Sequence, residues 1–267
     1  MASAPSYISF RGVDFQYTSQ GKSPTWILKD LNLEIARGEF YVLLGPSGCG
    51  KTTALTLLAG FEHQAAGTVS VDGRTITKPG VDRVVIFQGD DSLYGWLTAQ
   101  ENVEFGLKMA GMPASQRREK ALRQLEFVGL KGQGHKFPSQ LSGGMKQRIQ
   151  IARALVCDSP ILLMDEPFAA LDAQTRAVLQ DELTAIQRKI ASTVLFITHD
   201  IGEAIILADR IGIMRSGPAS ALKEEITIDL PRPRRRGDPA FGALYDRIHA
   251  TLSEEVDKVM RREQAAA

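Results

Sequence analysis

The sequence predicts an α/β fold whose strands form a parallel sheet, and two observations carry that prediction. In the second half of the chain, segments with helical spacing alternate with apolar runs of strand length, which is the order that parallel strands joined by helices produce. Nearer the start, the apolar run Phe40–Leu44 leads through a glycine-rich loop directly into a helical pattern. We therefore expect a sheet with helices packed on it.

Composition and charge limit the class of protein. Of 267 residues, 43% are hydrophobic and 24% are charged, as in a soluble globular protein. With 32 Lys and Arg against 31 Asp and Glu, the net charge of +1 gives no overall attraction for nucleic acid, so we expect no nucleic-acid partner. Two cysteines exclude a disulfide scaffold, and no apolar run reaches the ~20 residues of a membrane span. Without a secretion signal in residues 1–7, we expect a cytosolic protein.

In the first half, alternating apolar residues predict strands, joined by a polar turn at 19–24. The helical pattern after the glycine-rich loop predicts one helix. The predicted elements are strands at 8–17, 26–35, 40–44, 69–73 and 84–87 and a helix at 51–60.

In the second half, helical spacing dominates. The first of these helices, at 114–128, is dense in charge and is predicted to be solvated. The predicted elements are helices at 114–128, 143–155, 173–190, 201–208 and 239–260 and strands at 161–164 and 194–197.

The glycine-rich loop matches the pattern G-x-x-x-x-G-K-[ST] between a strand and a helix, the context that a phosphate-binding loop requires. Its glycines let backbone N–H groups turn toward phosphates, and the helix adds its positive dipole end. Lys51 would supply charge to the phosphates, and the Thr52 hydroxyl would coordinate Mg²⁺. The predicted nucleotide-binding residues here are Gly45, Pro46, Ser47, Gly48, Cys49, Gly50, Lys51, Thr52 and Thr53.

Two acids end the apolar strand at 161–164. Ligands of open α/β sheets lie at the carboxyl ends of the strands. Asp165 is therefore expected to hold Mg²⁺, and Glu166 to act as the general base on the attacking water. Two acidic residues after a strand are also common in proteins where they have no catalytic role. The catalytic interpretation is favoured here because the phosphate loop is present in the same chain.

A second helix start suits phosphate. Ser142 is a good N-cap residue, and Gly143 and Gly144 allow a ligand to approach free backbone N–H groups. The run Leu-Ser-Gly-Gly at 141–144, together with the phosphate loop and the acid pair, resembles the ATP-binding cassette (ABC) family and its signature motif. Met145 stands where the family usually has Gln.

The resemblance implies roles for four more residues. Gln88 matches the family's glutamine that senses Mg²⁺ and the γ-phosphate, so it is both a catalytic and a metal-site candidate. His199 matches the switch histidine that contacts the γ-phosphate, and Asp172 matches the loop that crosses the dimer interface. Tyr17 matches the aromatic residue that stacks on adenine.

For Tyr17 a second interpretation stays open. A tyrosine on an edge strand is also a common core residue, and Phe15 and Trp26 are neighbouring candidates for the stacking role.

The resemblance also implies an architecture and partners. We expect an ATPase domain at 1–230 and a helical extension at 231–267. The ATPase domain would contain a P-loop NTPase core, an N-terminal antiparallel β subdomain and an inserted helical subdomain at about 95–141. Two copies would sandwich two ATP, with Mg²⁺, and drive a membrane permease from the cytoplasmic face. A solute-binding protein would deliver the solute.

Within the family the chain is most similar to ATPase subunits of taurine, alkanesulfonate and nitrate importers. The residues that carry this narrower resemblance lie at 59–62, 79–83, 168–176 and 229–234. It implies uptake of taurine or another sulfonate first, with nitrate, an aromatic acid or a vitamin precursor as alternatives. A soluble ABC ATPase that acts outside transport is the rival class. It is disfavoured because this chain has neither tandem cassettes nor a long coiled-coil insertion.

Two weaker features receive structural interpretations. The basic run at 234–236 is interpreted as a solvated turn rather than a lipid contact. Cys49, inside the phosphate loop, is a candidate for alkylation that blocks ATP binding, and a redox switch there has little support.

Overall fold

Strands and helices fall into two units in this computed structural model, which describes residues 6–17, 25–88, 92–169 and 171–266. Unit 1 comprises residues 1–80 and 191–267, and unit 2 comprises residues 81–190. The polar turn predicted at 19–24 lies outside the described residues.

The strands are β1 (Ser6–Tyr17), β2 (Thr25–Ala36), β3 (Phe40–Leu44), β4 (Ala66–Val71), β5 (Arg74–Thr75), β6 (Arg83–Ile86), β7 (Ile161–Asp165), β8 (Thr193–Thr198), β9 (Arg210–Met214) and β10 (Leu222–Thr227). The α-helices are α1 (Lys51–Ala59), α2 (Ala99–Met109), α3 (Ala114–Phe127), α4 (Gly143–Leu155), α5 (Ala173–Ile190), α6 (Ile201–Leu207) and α7 (Pro239–Ala266), and a 3₁₀ turn spans Pro138–Gln140.

Unit 1 contains an antiparallel sheet in the order β2-β1-β4-β5. Strand β1 pairs with β2 on one side and with β4 on the other. In this register Ile8 lies opposite Ile35 of β2 and Val71 of β4. Ile8, Phe10 and Ile35 are buried, as the apolar alternation predicts. The predicted antiparallel β region is therefore present.

The second sheet of unit 1 carries the phosphate loop. Its strands lie in the order β10-β9-β3-β8, with β3 parallel to both β8 and β9 and β10 antiparallel at the edge. Every residue of β3 and β8 is buried, which explains their uninterrupted apolar sequences. The sequence patterns did not predict β9 or β10.

In unit 2, β6 and β7 pair in parallel, with Val84 opposite Leu162. Helices α2, α3 and α4 pack together beside them. Helix α3 buries only Ala121 and Leu125, so the prediction of a solvated helix is confirmed. Thr98 caps α2 reciprocally with Glu101, whose side chain accepts a hydrogen bond from the Thr98 N–H at 2.8 Å.

Helix α7 continues to Ala266, past the predicted end near 260. Its buried side chains include Phe241, Ile248 and Glu255, and it packs on α6. No helix within the described ranges is long and apolar enough to cross a bilayer.

Arg234 corrects the solvated-turn interpretation of 234–236. Its guanidinium donates to the carbonyl oxygens of Ile205 at 2.7 Å and Ala208 at 2.5 Å, at the end of α6, and to Ile228 at 3.1 Å. The last carbonyls of a helix lack partners within it, and the helix dipole favours a cation there. Arg235 and Arg236 are exposed as predicted.

Candidate functional site

The phosphate loop connects β3 to α1 in the predicted strand–loop–helix arrangement. Gly48 and Gly50 have φ angles of 74° and 92°, which other residues rarely adopt. At Gly50 a Cβ would lie 2.7 Å from the Leu28 side chain, so the close approach of the backbone also requires glycine. Gly50 is the N-cap of α1 and has no side chain to cover the first turn, so the positive end of the helix dipole faces the loop.

The side chain of Lys51 folds back into the loop. Only 7% of the residue is exposed, and its ammonium donates to the carbonyl oxygens of Gly45 at 2.8 Å and Pro46 at 2.9 Å. The neighbouring Thr52 is exposed, whereas Thr53 is buried. The loop therefore holds its cation in place beside an exposed threonine, and an ammonium and a hydroxyl are groups that suit a polyphosphate and a hard metal ion.

Cys49 lies within the same loop but is fully buried. Burial raises the pKa of its thiol, an effect that the nearby Lys51 only partly offsets. The reactive thiolate is thus disfavoured, and the structure gives the alkylation interpretation no support.

A cavity of about 260 Å³ adjoins the loop. Its lining residues are Tyr17, Ile27, Gly48, Gly50, Lys51, Thr52 and Thr53. The Tyr17 residue is 49% exposed, whereas Phe15 is 3% exposed and packs edge-on against the Tyr17 ring at 4.8 Å. Phe15 is thus a core residue, and Tyr17 is the one of the two whose ring a ligand can reach.

His199 is exposed in the turn between β8 and α6. Hydrogen bonds fix the turn after it: the Asp200 N–H donates to the Thr198 hydroxyl at 3.1 Å, and the Asp200 carboxylate accepts from the Glu203 N–H at 2.8 Å. Asp200 therefore caps α6 and holds the backbone that carries the imidazole.

In unit 2, the ends of β6 and β7 bring predicted residues together. Asp165 ends β7 and is buried, and Glu166 follows it with a left-handed φ of 45°. The side-chain amide of Gln88 donates to the Glu166 carboxylate at 3.1 Å. This backbone conformation directs the Glu166 side chain differently from a residue in a regular strand. Strained backbone conformations of this kind cluster at functional sites.

The signature segment begins α4 as predicted. Ser142 is the N-cap, and its hydroxyl accepts from the Met145 N–H at 3.3 Å. Asp172 caps α5 in the same manner, accepting from the Thr175 N–H at 2.9 Å, and this bond lowers the pKa of its carboxyl. Both caps leave a helix N-terminus facing the same cavity, which Gly144 also lines.

That cavity, of about 440 Å³, also contains cations that the sequence patterns did not single out. Lys136 and Arg148 line it, and Arg148 donates to the Thr175 hydroxyl at 2.7 Å. Because Thr175 lies 27 residues further along the chain, no local spacing marks the pair. Two helix N-termini and two cations make this cavity a candidate site for anionic groups.

Among the described residues, no group of three or more His, Cys, Asp or Glu side chains could hold a metal ion alone. The predicted Mg²⁺ ligands are instead one carboxylate, one hydroxyl and one amide. This donor set fits Mg²⁺, which proteins hold through one or two carboxylates while substrate phosphates complete the shell.

The comparisons with known proteins identify the family of the chain. The ABC transporter family model matches residues 28–169, and the chain belongs to that family. It is accordingly an ATPase whose activity is coupled to transport.

Particular relatives are similar over most of this chain. An uncharacterized ABC transporter ATP-binding protein of Methanocaldococcus jannaschii is 46% identical over 88% of this chain and 87% of its own length. The nitrate import ATP-binding protein NrtD of Synechococcus elongatus is 45% identical over 84% of this chain and 83% of its own. The bicarbonate transport ATP-binding protein CmpC of the same species is 40% identical over 93% of this chain, which spans only 38% of that protein.

Among solved structures, the dimeric post-hydrolysis state of the ATP-binding cassette MJ0796 bound to ADP and Pi superposes with a TM-score of 0.75. The two sequences are 31% identical, and the match covers 84% of this chain and 100% of that chain. The predicted P-loop NTPase fold is thereby confirmed.

Proposed function

We propose that this chain is the nucleotide-binding subunit of an importer, which binds and hydrolyses ATP with Mg²⁺ to power uptake of a small anion. The observation that carries the proposal is the phosphate loop. It holds the Lys51 ammonium at 2.8 Å and 2.9 Å from loop carbonyls, beside a cavity that Tyr17 lines. That arrangement offers charge to phosphates and an aromatic face to a base.

Each site residue has a role that follows from its chemistry. The ammonium of Lys51 and the loop N–H groups bind phosphate oxygens, and Tyr17 stacks on the adenine ring. The Thr52 hydroxyl, the Asp165 carboxylate and the Gln88 amide would hold Mg²⁺, which would supply charge neutralisation at the phosphates. Glu166 takes a proton from the attacking water, and His199 contacts the γ-phosphate.

The proposal includes a homodimer with composite sites. Ser142, Gly143 and Gly144 at the start of α4 would bind phosphates held by the partner copy, with Asp172 beside them. Two observations support this: Ser142, Gly144 and Asp172 share one cavity, and the similar cassette MJ0796 is dimeric. The partners would be a second copy and a permease, with the chain on the cytoplasmic face of the membrane and a solute-binding protein delivering the solute.

For the solute, the proposal is a small oxyanion. NrtD is named for nitrate import and CmpC for bicarbonate transport, which favours an inorganic anion over taurine or another sulfonate. Inorganic oxyanions and sulfonates share a compact, negatively charged cluster of oxygen atoms. Because some sequence segments resemble those of sulfonate importers, taurine is also one of the solutes to test.

The test is Mg²⁺-dependent ATPase activity and uptake in proteoliposomes that hold the chain with its co-purifying membrane protein. Lys51→Ala should lower turnover by roughly tenfold to a hundredfold or more, because charge-assisted contacts contribute about 1.5–3 kcal/mol each. Lys131→Ala is the matched control, since Lys131 is an exposed lysine outside the loop. Labelled nitrate, bicarbonate and taurine would then be compared. Normal turnover of Lys51→Ala, or no uptake of any small anion, would contradict the proposal.

A further inference from the structure

The segment that joins β9 to β10, residues 215–221, lies against the phosphate loop and is called the hairpin loop below. A Cβ built on Gly217 would lie 3.2 Å from the carbonyl oxygen of Gly48. Just before the hairpin loop, the Met214 side chain would lie 3.1 Å from a Cβ on Gly45. The hairpin loop and the phosphate loop thus run so close together that a side chain at Gly217 or Gly45 would be crowded by the other segment.

The hairpin loop is also bonded to β2, where Ile27 lines the cavity beside the phosphate loop. The Ala219 N–H donates to the Trp26 carbonyl at 2.7 Å, and the Ser220 N–H donates to the Ile27 carbonyl at 2.9 Å. In return, the Ser220 carbonyl accepts from the Lys29 N–H at 2.9 Å. One short segment therefore supports two parts of the cavity wall.

Helix α7 holds the other side of the hairpin loop through Glu255. This carboxylate is 1% exposed and accepts from both the N–H and the hydroxyl of Ser216, at 2.8 Å and 3.1 Å. Near the end of α7, the Arg262 guanidinium donates to the carbonyl of Gly217, the residue where a Cβ would come within 3.2 Å of Gly48. The last turns of α7 are thus bonded to the point where the two loops meet.

Two lysines offset the buried charge of Glu255. Lys258 lies 2.6 Å and Lys223 lies 3.0 Å from its carboxylate. Burial alone would raise the pKa of Glu255, but hydrogen bonds from Lys258, Ser216 and Lys223 lower it to about 2. Glu255 therefore remains an ionised acceptor for Ser216 at neutral pH.

We propose that Glu255 is a positioning residue for nucleotide binding, and that the docked end of α7 sets the affinity for ATP. Through Ser216 and Gly217 it holds the hairpin loop against the phosphate loop. The start of α7 is anchored separately, because Phe241 and Ile248 are buried there. Whatever lifts that end weakens ATP binding without touching the nucleotide. This inference rests on the proposed ATP site.

Glu255→Ala tests the proposal in the full chain with its membrane partner. Loss of one link in such a network shifts binding by roughly threefold to thirtyfold. We expect Kd for the non-hydrolysable analogue AMP-PNP and KM for ATP to rise in that range. The value of kcat should change by less than about twofold, since Glu255 does not contact reacting atoms. Glu254→Ala is the matched control: Glu254 bonds the same Lys223 at 2.5 Å but is 67% exposed, and its loss should leave Kd unchanged.

A second comparison separates positioning from general destabilisation. Ile8→Ala opens a cavity in β1 beside Ile35, at the opposite end of the strand from Tyr17. It should lower Tm at least as much as Glu255→Ala and yet keep the wild-type Kd. Hydrogen exchange, measured well below both Tm values, should be faster at Gly48 and Gly50 in Glu255→Ala only.

Two results would overturn this proposal alone: a Kd for Glu255→Ala equal to that of the wild type, or an equal rise in Kd for Ile8→Ala. If the wild-type protein itself binds no AMP-PNP, the proposed function fails as well, and that outcome is distinct from the other two.

Discussion

The side-chain amide of Gln88 donates a hydrogen bond to the carboxylate of Glu166 over 3.1 Å, although the residues are 78 positions apart. The parallel register of β6 and β7, with Ile86 opposite Met164, brings their following residues together. A neutral donor at this distance orients the carboxylate proposed as general base without changing its charge. The pair therefore links the end of one strand to the chemistry at the end of the next.

Changing Gln88 to Glu should make this contact repulsive. Two carboxylates at hydrogen-bond distance share a proton more readily than either alone. We expect Gln88→Glu to lower kcat by roughly tenfold or more and to move the acid limb of the pH–rate profile to higher pH. Gln88→Ala, which removes the bond without adding charge, should keep the wild-type profile. Identical pH profiles for Gln88→Glu and the wild type would contradict the proposed contact.

Glu166→Gln should trap ATP between two subunits. The substitution keeps the shape of the side chain and removes the base, so ATP binds and stays uncleaved. We expect the variant to dimerise on addition of ATP, as measured by sedimentation.

Adding Ser142→Arg to Glu166→Gln tests the composite site. A bulky cation at the exposed start of α4 should block the facing subunit and abolish the dimer, while the monomer still binds ATP through Lys51. Sedimentation reports whether the dimer forms, and a nucleotide-binding measurement on the same protein reports whether the monomer binds ATP. A double variant that dimerises as well as Glu166→Gln would show that the signature helix is not the trans half of the site.

Tyr17 should contribute stacking rather than core packing. Base–aromatic stacking contributes about 1–3 kcal/mol, so Tyr17→Ala should raise the KM for ATP by about fivefold to a hundredfold. Tyr17→Trp should preserve KM. Because 49% of Tyr17 is exposed, the alanine variant should keep a Tm close to that of the wild type. A normal KM with a lowered Tm would instead favour the core-tyrosine interpretation.

The low pKa of Glu255 makes part of the stability dependent on pH. Its folded pKa of about 2 lies below the ordinary value of 4.5, so the ionised carboxylate stabilises the fold above about pH 4.5. That contribution, on the order of 3 kcal/mol, is lost as the pH falls toward 2. Urea unfolding of the wild type and Glu255→Gln should differ at pH 7 and converge near pH 2.5. A difference that is independent of pH would count against the ionised group.

Much of the fold follows from local sequence. Strand β3 and helix α4 begin and end where the patterns indicate, because an apolar run bounded by glycine and a helix capped by Ser142 are defined by adjacent residues. The phosphate loop is equally local. Its strand, glycines and lysine lie within one short segment.

Features that depend on distant partners were missed. Strand β10 has the charged sequence LKEEIT because it lies at the edge of the unit 1 sheet, so periodicity did not mark it. In β9, Gly212 interrupts the apolar pattern, since a Cβ there would lie 2.2 Å from the Tyr41 hydroxyl. Local spacing does not reveal the role of Arg234, because its carbonyl partners at the end of α6, Ile205 and Ala208, lie 26–29 residues earlier.

The fold-back of Lys51 prepares the phosphate loop for an anion. Its ammonium donates to the carbonyl oxygens of Gly45 and Pro46, so the charge is held in one place before a ligand arrives. An ammonium has three donors, and a phosphate oxygen that accepts from it would form a charge-assisted bond, the stronger kind of hydrogen bond. Because the side chain is already ordered, little conformational entropy would be lost when a polyphosphate binds.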